Sequence, residues 1–139
     1  MKTRFVGYAA AWVLLAACIT IGLGQPNWPY YHRMTIRGVA GTGSVLQLLP
    51  ETHDTVRYEY RVGPYKYFGV RTCWAPNRQP AQLHIGDPLV VYYDPQHPED
   101  SVLGCPKVML NNETTSIALA ATGIPSLALI GWALRKARH

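Results

Sequence analysis

Two long, uncharged apolar stretches constrain this chain more than any other feature of its sequence. They cover residues 5–24 and 117–134, and neither contains Asp, Glu, Lys or Arg. A helix needs about 20 mostly apolar residues to cross about 30 Å of hydrocarbon. The second stretch reaches this length when residues 115 and 116 join it. A soluble core helix would normally carry a polar face, which neither stretch has. We therefore predict transmembrane helices at residues 5–24 and 115–134, with a buried soluble helix or a signal peptide as the alternatives.

The charged residues are distributed in a way that predicts an orientation in the membrane. The chain has 13 basic and 8 acidic residues, and the region between the two apolar stretches is formally neutral. The whole excess therefore flanks the stretches, at Lys2, Arg4, Arg135, Lys136 and Arg138. This is the positive-inside pattern of membrane proteins rather than a nucleic-acid-binding pattern. We expect both basic flanks, including the tail at residues 135–139, in the cytoplasm and residues 25–114 on the other side.

Cys18 introduces an alternative for the first apolar stretch. Residues 15–18 read Leu-Ala-Ala-Cys, which has the form of a bacterial lipobox. Cleavage there would leave Cys18 lipidated at the new N-terminus. Residues 19–24 remain apolar, however, as they would in an uncleaved transmembrane helix. We favour the uncleaved helix, and lipidation of Cys18 stays open.

The other two cysteines, Cys73 and Cys105, both lie in the region that we place outside the cytoplasm. That compartment is oxidising, so a Cys73–Cys105 disulfide is expected there. It would stabilise a small domain by about 2–4 kcal/mol. The chain has no C-x-x-C motif of a zinc or thioredoxin-like site. Two separate thiols are the alternative.

The region between the apolar stretches has the pattern of a small β domain. Residues 55–62 alternate strictly between apolar and polar side chains, which predicts a half-buried strand. Gly63 and Pro64 then form a turn signal that predicts a hairpin. The returning strand and the remaining strands are predicted at residues 65–73, 43–49, 89–94 and, as a short edge, 101–103. We therefore expect an all-β domain of four to five strands, arranged as a twisted sheet or a partly closed barrel.

Several short motifs occur in an order that points to a known family. They are Gly41-x-Gly43-x-Val45, Val56-x-Tyr58-x-Tyr60, Gly63 with Tyr67, and the run from Gly86-Asp87 to Tyr93-Asp94-Pro95-x-x-Pro98. With these motifs, residues 35–103 resemble the bacterial membrane proteins of domain-of-unknown-function family 3592. The resemblance implies a β-rich domain framed by hydrophobic helices, and it implies no activity, cofactor or catalytic residue. His97 departs from the family pattern, where Asn is common.

A group of polar residues near position 97 raises the question of a metal or catalytic site. Asp94, His97, Glu99 and Asp100 fall within seven positions. Two prolines constrain this segment, and it lacks the glycine typical of a calcium loop. We favour an Asx-turn at Asp94, where the strand ends, and a further turn at residues 99–101. No serine lies in a G-x-S-x-G motif. We therefore predict no metal site, no cofactor and no enzymatic activity.

Tyr92 and Tyr93 are the candidate partner surface. Neighbouring residues of a strand point to opposite faces, so one of these rings must lie outside the main core. Exposed aromatic side chains often anchor protein partners.

The apolar stretches carry small residues at four-residue intervals, in the rows Ala16, Thr20, Gly24 and Ala118, Thr122, Ser126. Such rows allow close helix packing, either within the chain or between copies in a homo-oligomer. We predict a multi-pass bacterial inner-membrane protein without enzymatic activity, embedded in the lipid bilayer. Its extracytoplasmic β domain would act as an interaction or assembly module for an envelope protein. The alternative is a small oligomeric membrane component that assists transport.

Overall fold

The computed structural model describes the backbone of residues 2–137 and the side chains of residues 7–24 and 27–135. The chain forms two helices, five strands and one short 3₁₀ turn. In chain order they are α1 (Lys2–Arg37), β1 (Val39–Leu49), β2 (Thr55–Val62), β3 (Tyr65–Thr72), the 3₁₀ turn (Pro80–Gln82), β4 (Pro88–Asp94), β5 (His97–Val102) and α2 (Pro106–Ala137). The chain divides into two units, which we call the helix unit (Met1–Pro29 and Asn111–His139) and the β domain (Tyr30–Leu110).

Both helices are long and apolar enough to cross a membrane. An 18-residue window of each helix has a mean hydropathy of 1.8, at Gly7–Gly24 in α1 and within Pro106–Arg135 in α2. Both helices also continue past the predicted spans, so residues that we expected in linkers are helical. Large apolar side chains of the helix unit point outward, and Leu14 and Leu127 are 67% and 70% exposed. A helix from the core of a soluble protein would bury these side chains.

The two helices of the helix unit run antiparallel and contact each other along their length. The rings of Tyr8 and Trp132 lie 4.7 Å apart between centroids. The indole N–H of Trp12 donates to Ser126 Oγ at 3.4 Å. Gly24 lies in a small-residue row and faces Ile117, whose side chain would be in ordinary contact with an added Cβ. Members of both small-residue rows therefore take part in packing within the chain, which was the first of the two predicted uses.

The β domain is one antiparallel sheet with the strand order β3-β2-β1-β4-β5. Its two edge strands, β3 and β5, approach each other, so the sheet is nearly closed. The core lies on the inner face and is built from Val45, Val56, Tyr58, Tyr60, Cys73, Leu83, Leu89, Val91 and Leu103. Five strands and a nearly closed sheet agree with the predicted all-β domain.

Strand boundaries were predicted well where alternation was clear and less well elsewhere. The predicted and observed bounds of β2 are the same. Strand β1 begins four residues earlier than predicted, because its first residues pair with β4. The turn predicted at residues 99–101 is wrong, since these residues belong to β5. Asp94 pairs with His97, which leaves only two residues in the turn. Pro98 is compatible with β5 because β5 is an edge strand, where a missing N–H need not interrupt a ladder.

Candidate functional site

The inner face of the sheet contains a polar network at the point where β3 approaches β5. Tyr58 lies opposite Gly69 in the ladder between β2 and β3. Its ring passes so closely over Gly69 that an added Cβ would overlap the ring. The Tyr58 hydroxyl then reaches across to Ser101 Oγ on β5, at 2.8 Å. Gly69 is therefore the residue that allows Tyr58 to span the inside of the sheet.

Ser101 gathers further hydrogen bonds from other elements. Its backbone carbonyl accepts from the hydroxyl of Tyr30 on α1 at 3.0 Å and from Arg71 Nε on β3 at 3.4 Å. Tyr60 donates its hydroxyl to the carbonyl of Pro98. In the described structure β3 pairs only with β2, and β5 only with β4. Side chains of Tyr58 and Tyr60 on β2 and of Arg71 on β3 thus join this side of the sheet to β5 in place of a backbone ladder.

The tyrosines of this network are stacked and stay protonated at neutral pH. The ring of Tyr60 lies 5.8–5.9 Å from those of Tyr58, Tyr67 and Tyr93, measured between centroids. Burial raises the pKa of Tyr58, Tyr60 and Tyr30 above the ordinary value for a phenol. A protonated phenol can donate a hydrogen bond, which is how Tyr30 and Tyr60 act here. The network therefore closes the sheet through protonated phenols that donate hydrogen bonds.

Arg33 of α1 lies next to this network and pairs with Asp94 and Asp100, two carboxylates of the polar group near position 97. Its guanidinium forms an ion pair with Asp100 and lies 3.5 Å from Asp94, measured from Nε to Oδ2. Asp94 is fully buried, and its other oxygen accepts the backbone N–H of Gln96 at 2.9 Å. This bond is the Asx-turn that we predicted, which is thereby confirmed. A buried carboxylate is costly without a cation, so Arg33 ties the end of α1 to the sheet.

The suspected acidic cluster does not converge on one point. His97 and Glu99 are exposed and face each other, with 3.5 Å between Nδ1 and Oε1. Asp94 and Asp100 instead face Arg33. Within the part of the chain that the structure describes, no three His, Cys, Asp or Glu residues are placed to hold a metal ion.

Tyr92 and Tyr93 point to opposite faces, but neither is an exposed ring. Tyr93 packs against the core and stacks on Tyr60. Its ring lies close to Gly41, where an added Cβ would be 3.0 Å away. Tyr92 is half-buried on the other face, opposite Val102 of β5. The surface predicted for a partner is therefore largely covered by the β domain's own packing.

Cys73 and Cys105 are free, as is Cys18, so the predicted disulfide is not formed in this structure. Cys73 is buried at the end of β3, and burial raises the pKa of its thiol to about 11. A thiol with that pKa is protonated at neutral pH and is a poor nucleophile.

An exposed apolar surface does exist on the outer face of the hairpin formed by β2 and β3. Phe68 is 59% exposed there, and Val70 is also exposed. They line a shallow groove of about 470 Å³ together with Leu46 and Arg57. We call these four residues the outer patch. Sequence reasoning followed the strict alternation in β2 and missed the outer patch. The sequence feature that could have revealed the outer patch lies in β3, which has aromatic or apolar residues at both odd and even positions.

These features define a class of protein: a nearly closed, five-stranded antiparallel β domain framed by two helices of membrane-spanning length. Residues 39–106 match the model of a family described as a domain of unknown function, DUF3592. The match confirms the family predicted from the sequence, to which the β domain belongs. No curated protein and no solved structure matches the chain.

Proposed function

We propose that this protein is a two-span protein of a bacterial cytoplasmic membrane that presents its DUF3592 domain outside the cytoplasm as a non-enzymatic interaction module. Two outward-facing apolar helices support the membrane assignment, since soluble surroundings would leave Leu14, Leu119 and Leu127 in contact with water. The basic residues that flank the helices support the orientation, with the tail at residues 135–139 on the cytoplasmic side.

The single observation that carries the interaction role is the outer patch. The core of the β domain buries Val45, Val56 and Val91, whereas Phe68 and Val70 are exposed side by side on one strand. The guanidinium of Arg57 lies in the same groove. Lys66, on the same strand as Phe68 and Val70, is already paired with Glu59, with 2.8 Å between Nζ and Oε2. The partner best suited to this surface is a protein segment with apolar side chains and a carboxylate that reaches Arg57.

In-cell photo-crosslinking tests this proposal. A photoreactive residue replaces Phe68 in the full-length protein, and a matched protein carries it at Ile85, an equally apolar and exposed residue outside the outer patch. We expect a discrete crosslink to another envelope protein from position 68 and none from position 85. Equal crosslinking from both positions, or none from position 68, would rule out the outer patch as an interaction surface.

Orientation is tested separately by thiol labelling of intact cells. Two single-cysteine variants are made in a chain whose native cysteines are replaced by alanine. Tyr65→Cys places a thiol on the predicted outer side of the membrane, and Arg135→Cys places one on the predicted cytoplasmic side. A membrane-impermeant maleimide should label position 65 in intact cells and position 135 only after lysis. The opposite pattern would place the β domain in the cytoplasm.

The alternative function, a small oligomeric component that assists transport, has one observation in its favour. The helix unit has an apolar groove of about 560 Å³, lined in part by Thr20, Gly24 and Ala118. A second copy could pack there through the small residues. If crosslinks form only between copies of this chain, and only from positions in the helices, this alternative replaces the interaction module.

A further inference from the structure

A second surface feature of the β domain lies apart from the outer patch. A cleft of about 630 Å³ opens between the turn that joins β1 to β2 and the loop that follows β3. Its volume is in the range of small-molecule sites. The lining includes His53, Asp54, Trp74, Arg78, Gln79 and Gln82. We call it the Trp74 cleft.

Trp74 is an exposed aromatic residue in the lining of this cleft. Its side chain is 50% exposed, although its backbone is held firmly. Its N–H donates to the carbonyl of Leu103 at 2.7 Å, and its carbonyl accepts from the N–H of Asn77 at 3.0 Å. Its Cβ packs so closely on Gly104 that a Cβ added there would lie 2.7 Å away. These backbone bonds fix where the exposed side chain starts, and an indole face is a surface on which a planar or ring-shaped ligand can stack.

Another part of the lining comes from two residues in the turn that joins β1 to β2, and both have an unusual backbone conformation. His53 and Asp54 have φ angles of 55° and 53°. Residues other than glycine seldom adopt this left-handed region, and such conformations recur at ligand-binding sites. Both side chains are exposed on the cleft, as are the amides of Gln79 and Gln82. The cleft therefore combines one stacking surface with several hydrogen-bonding groups.

The charges of the cleft favour an uncharged ligand. Asp54 brings a negative charge and Arg78 a positive one, and Arg78 also lies 4.0 Å from Asp87. A nucleotide would need cationic or backbone N–H groups gathered on its phosphates. A quaternary ammonium ion would need several aromatic faces, and Trp74 is the single aromatic residue among the described residues of the lining.

We propose that the Trp74 cleft binds a neutral sugar ring. The less polar face of the ring stacks on the indole, and its hydroxyl groups exchange hydrogen bonds with Asp54, Gln79 and Gln82. A free sugar and a sugar unit within a glycan chain would be bound by the same contacts. They are distinguished by whether affinity increases with the number of linked sugar units. The proposal is independent of the outer patch and of any protein partner.

Saturation-transfer difference NMR on the full-length protein in nanodiscs tests this proposal. The probes are N-acetylglucosamine and its β-1,4-linked dimer, with AMP and choline as the alternatives. We expect saturation transfer to the ring protons of the sugars and no competition by AMP or choline. Tighter binding of the dimer indicates a glycan chain, and equal binding indicates a single ring. Absence of sugar binding, or displacement of the sugars by AMP or choline, would overturn the proposal.

Two variants and a control locate the site. Trp74→Leu removes the stacking surface and should weaken sugar binding at least about tenfold. Asp54→Gly keeps a residue that accepts positive φ and removes the carboxylate, so it should weaken binding while leaving the thermal unfolding curve intact. Tyr65→Ala removes an exposed aromatic ring outside the cleft and should leave binding unchanged. If Trp74→Leu does not fold, Asp54→Gly decides alone. Unchanged sugar binding in Asp54→Gly and in a folded Trp74→Leu protein would overturn the assignment.

Discussion

The helix unit and the β domain place their apolar side chains in opposite ways. In the helix unit, Leu14 and Leu119 are each 67% exposed, whereas Val45 and Val91 of the β domain are at most 1% exposed. The β domain follows the rule for proteins in water, where apolar surface is removed from solvent. The helix unit is what a lipid solvent requires, because hydrocarbon tails are as apolar as leucine. The two units therefore differ in the surfaces that they present: the helix unit exposes apolar side chains, as a membrane-spanning helix would, and the β domain buries its core.

The comparison predicts that truncating a large side chain is costly in the β domain and nearly harmless on the helix surface. Tyr58→Ala should lower the free energy of unfolding by about 3–5 kcal/mol, because it leaves a cavity and removes the partner of Ser101. Leu14→Ala, which removes an outward-facing side chain, should change it by about 0.5 kcal/mol or less. Thermal unfolding of the full-length protein in detergent, followed by near-UV circular dichroism, measures both. Equal losses would show that the two units do not differ in this way.

A pair of glycine substitutions sharpens the same contrast. Gly69→Ala pushes a methyl group into the Tyr58 ring, which its bond to Ser101 holds in place, and should destabilise the β domain by about 1–3 kcal/mol. Gly22→Ala meets nothing within 4 Å in α1 and should stabilise the helix by roughly 0.5–1 kcal/mol. The sign of the change in melting temperature is the readout. An unchanged or higher melting temperature in Gly69→Ala would mean that Tyr58 moves aside freely, and a lower one in Gly22→Ala would contradict the expectation for α1.

The stability of the β domain should decrease at alkaline pH because the hydroxyls of Tyr58 and Tyr60 and the thiol of Cys73 are buried in their protonated form. Burial raises the pKa of Tyr58 and Tyr60, and that of Cys73 to about 11. The unfolded chain loses these protons at lower pH than the folded chain does, at about pH 8.5 for cysteine and about pH 10 for tyrosine. Stability is thus intact at neutral pH and falls as pH rises through the folded pKa values.

Melting temperature measured between pH 7 and about pH 11 tests this behaviour. Tyr58→Phe should flatten the alkaline decrease, whatever its effect at neutral pH. Tyr65→Phe, which alters an exposed ring, is the control and should keep the decrease of the native protein. An alkaline decrease that is equally steep in all three proteins would assign the effect to other groups.

The smallest effect on stability is expected at the outer patch. Phe68→Ser should change the free energy of unfolding by about 0.5 kcal/mol or less, because the ring is mostly exposed. Binding of a partner should nevertheless be lost, as measured by crosslinking from a photoreactive residue at Val70. Ile85→Ser is the matched change outside the patch. A marked loss of stability in Phe68→Ser would make this ring part of the fold rather than of an interface.

Much of the architecture could be predicted because the relevant signals are local in sequence. Uncharged length marked both helices, and the alternation in residues 55–62 marked β2 with its observed bounds. The Asx-turn at Asp94 could also be predicted, since it joins residues only two apart. The run at residues 99–101 was less predictable, because pairing with β4 overrides its turn-forming composition.

The candidate sites depended on contacts that composition does not reveal. Tyr92 and Tyr93 were correctly expected to face opposite sides, but packing against Tyr60 and Gly41 covers Tyr93. The outer patch could be recognised only from the structure, in which Phe68 and Val70 on the outer face of β3 are exposed. The Trp74 cleft combines residues 53–54 with residues 72–82, and their proximity follows from the pairing of β2 with β3.

The sequence by itself determined which segments are apolar enough to span a membrane and which form a half-buried sheet, because charge, apolar length and alternation are local properties. It thereby set two membrane-length helices around a small β domain and the resemblance that the family match confirms. Only the tertiary structure decided how the sheet closes. Tyr58 on β2 and Arg71 on β3 meet Ser101 on β5 across 43 and 30 residues of sequence. Such long-range hydrogen bonds depend on the complete strand order, which no local pattern encodes.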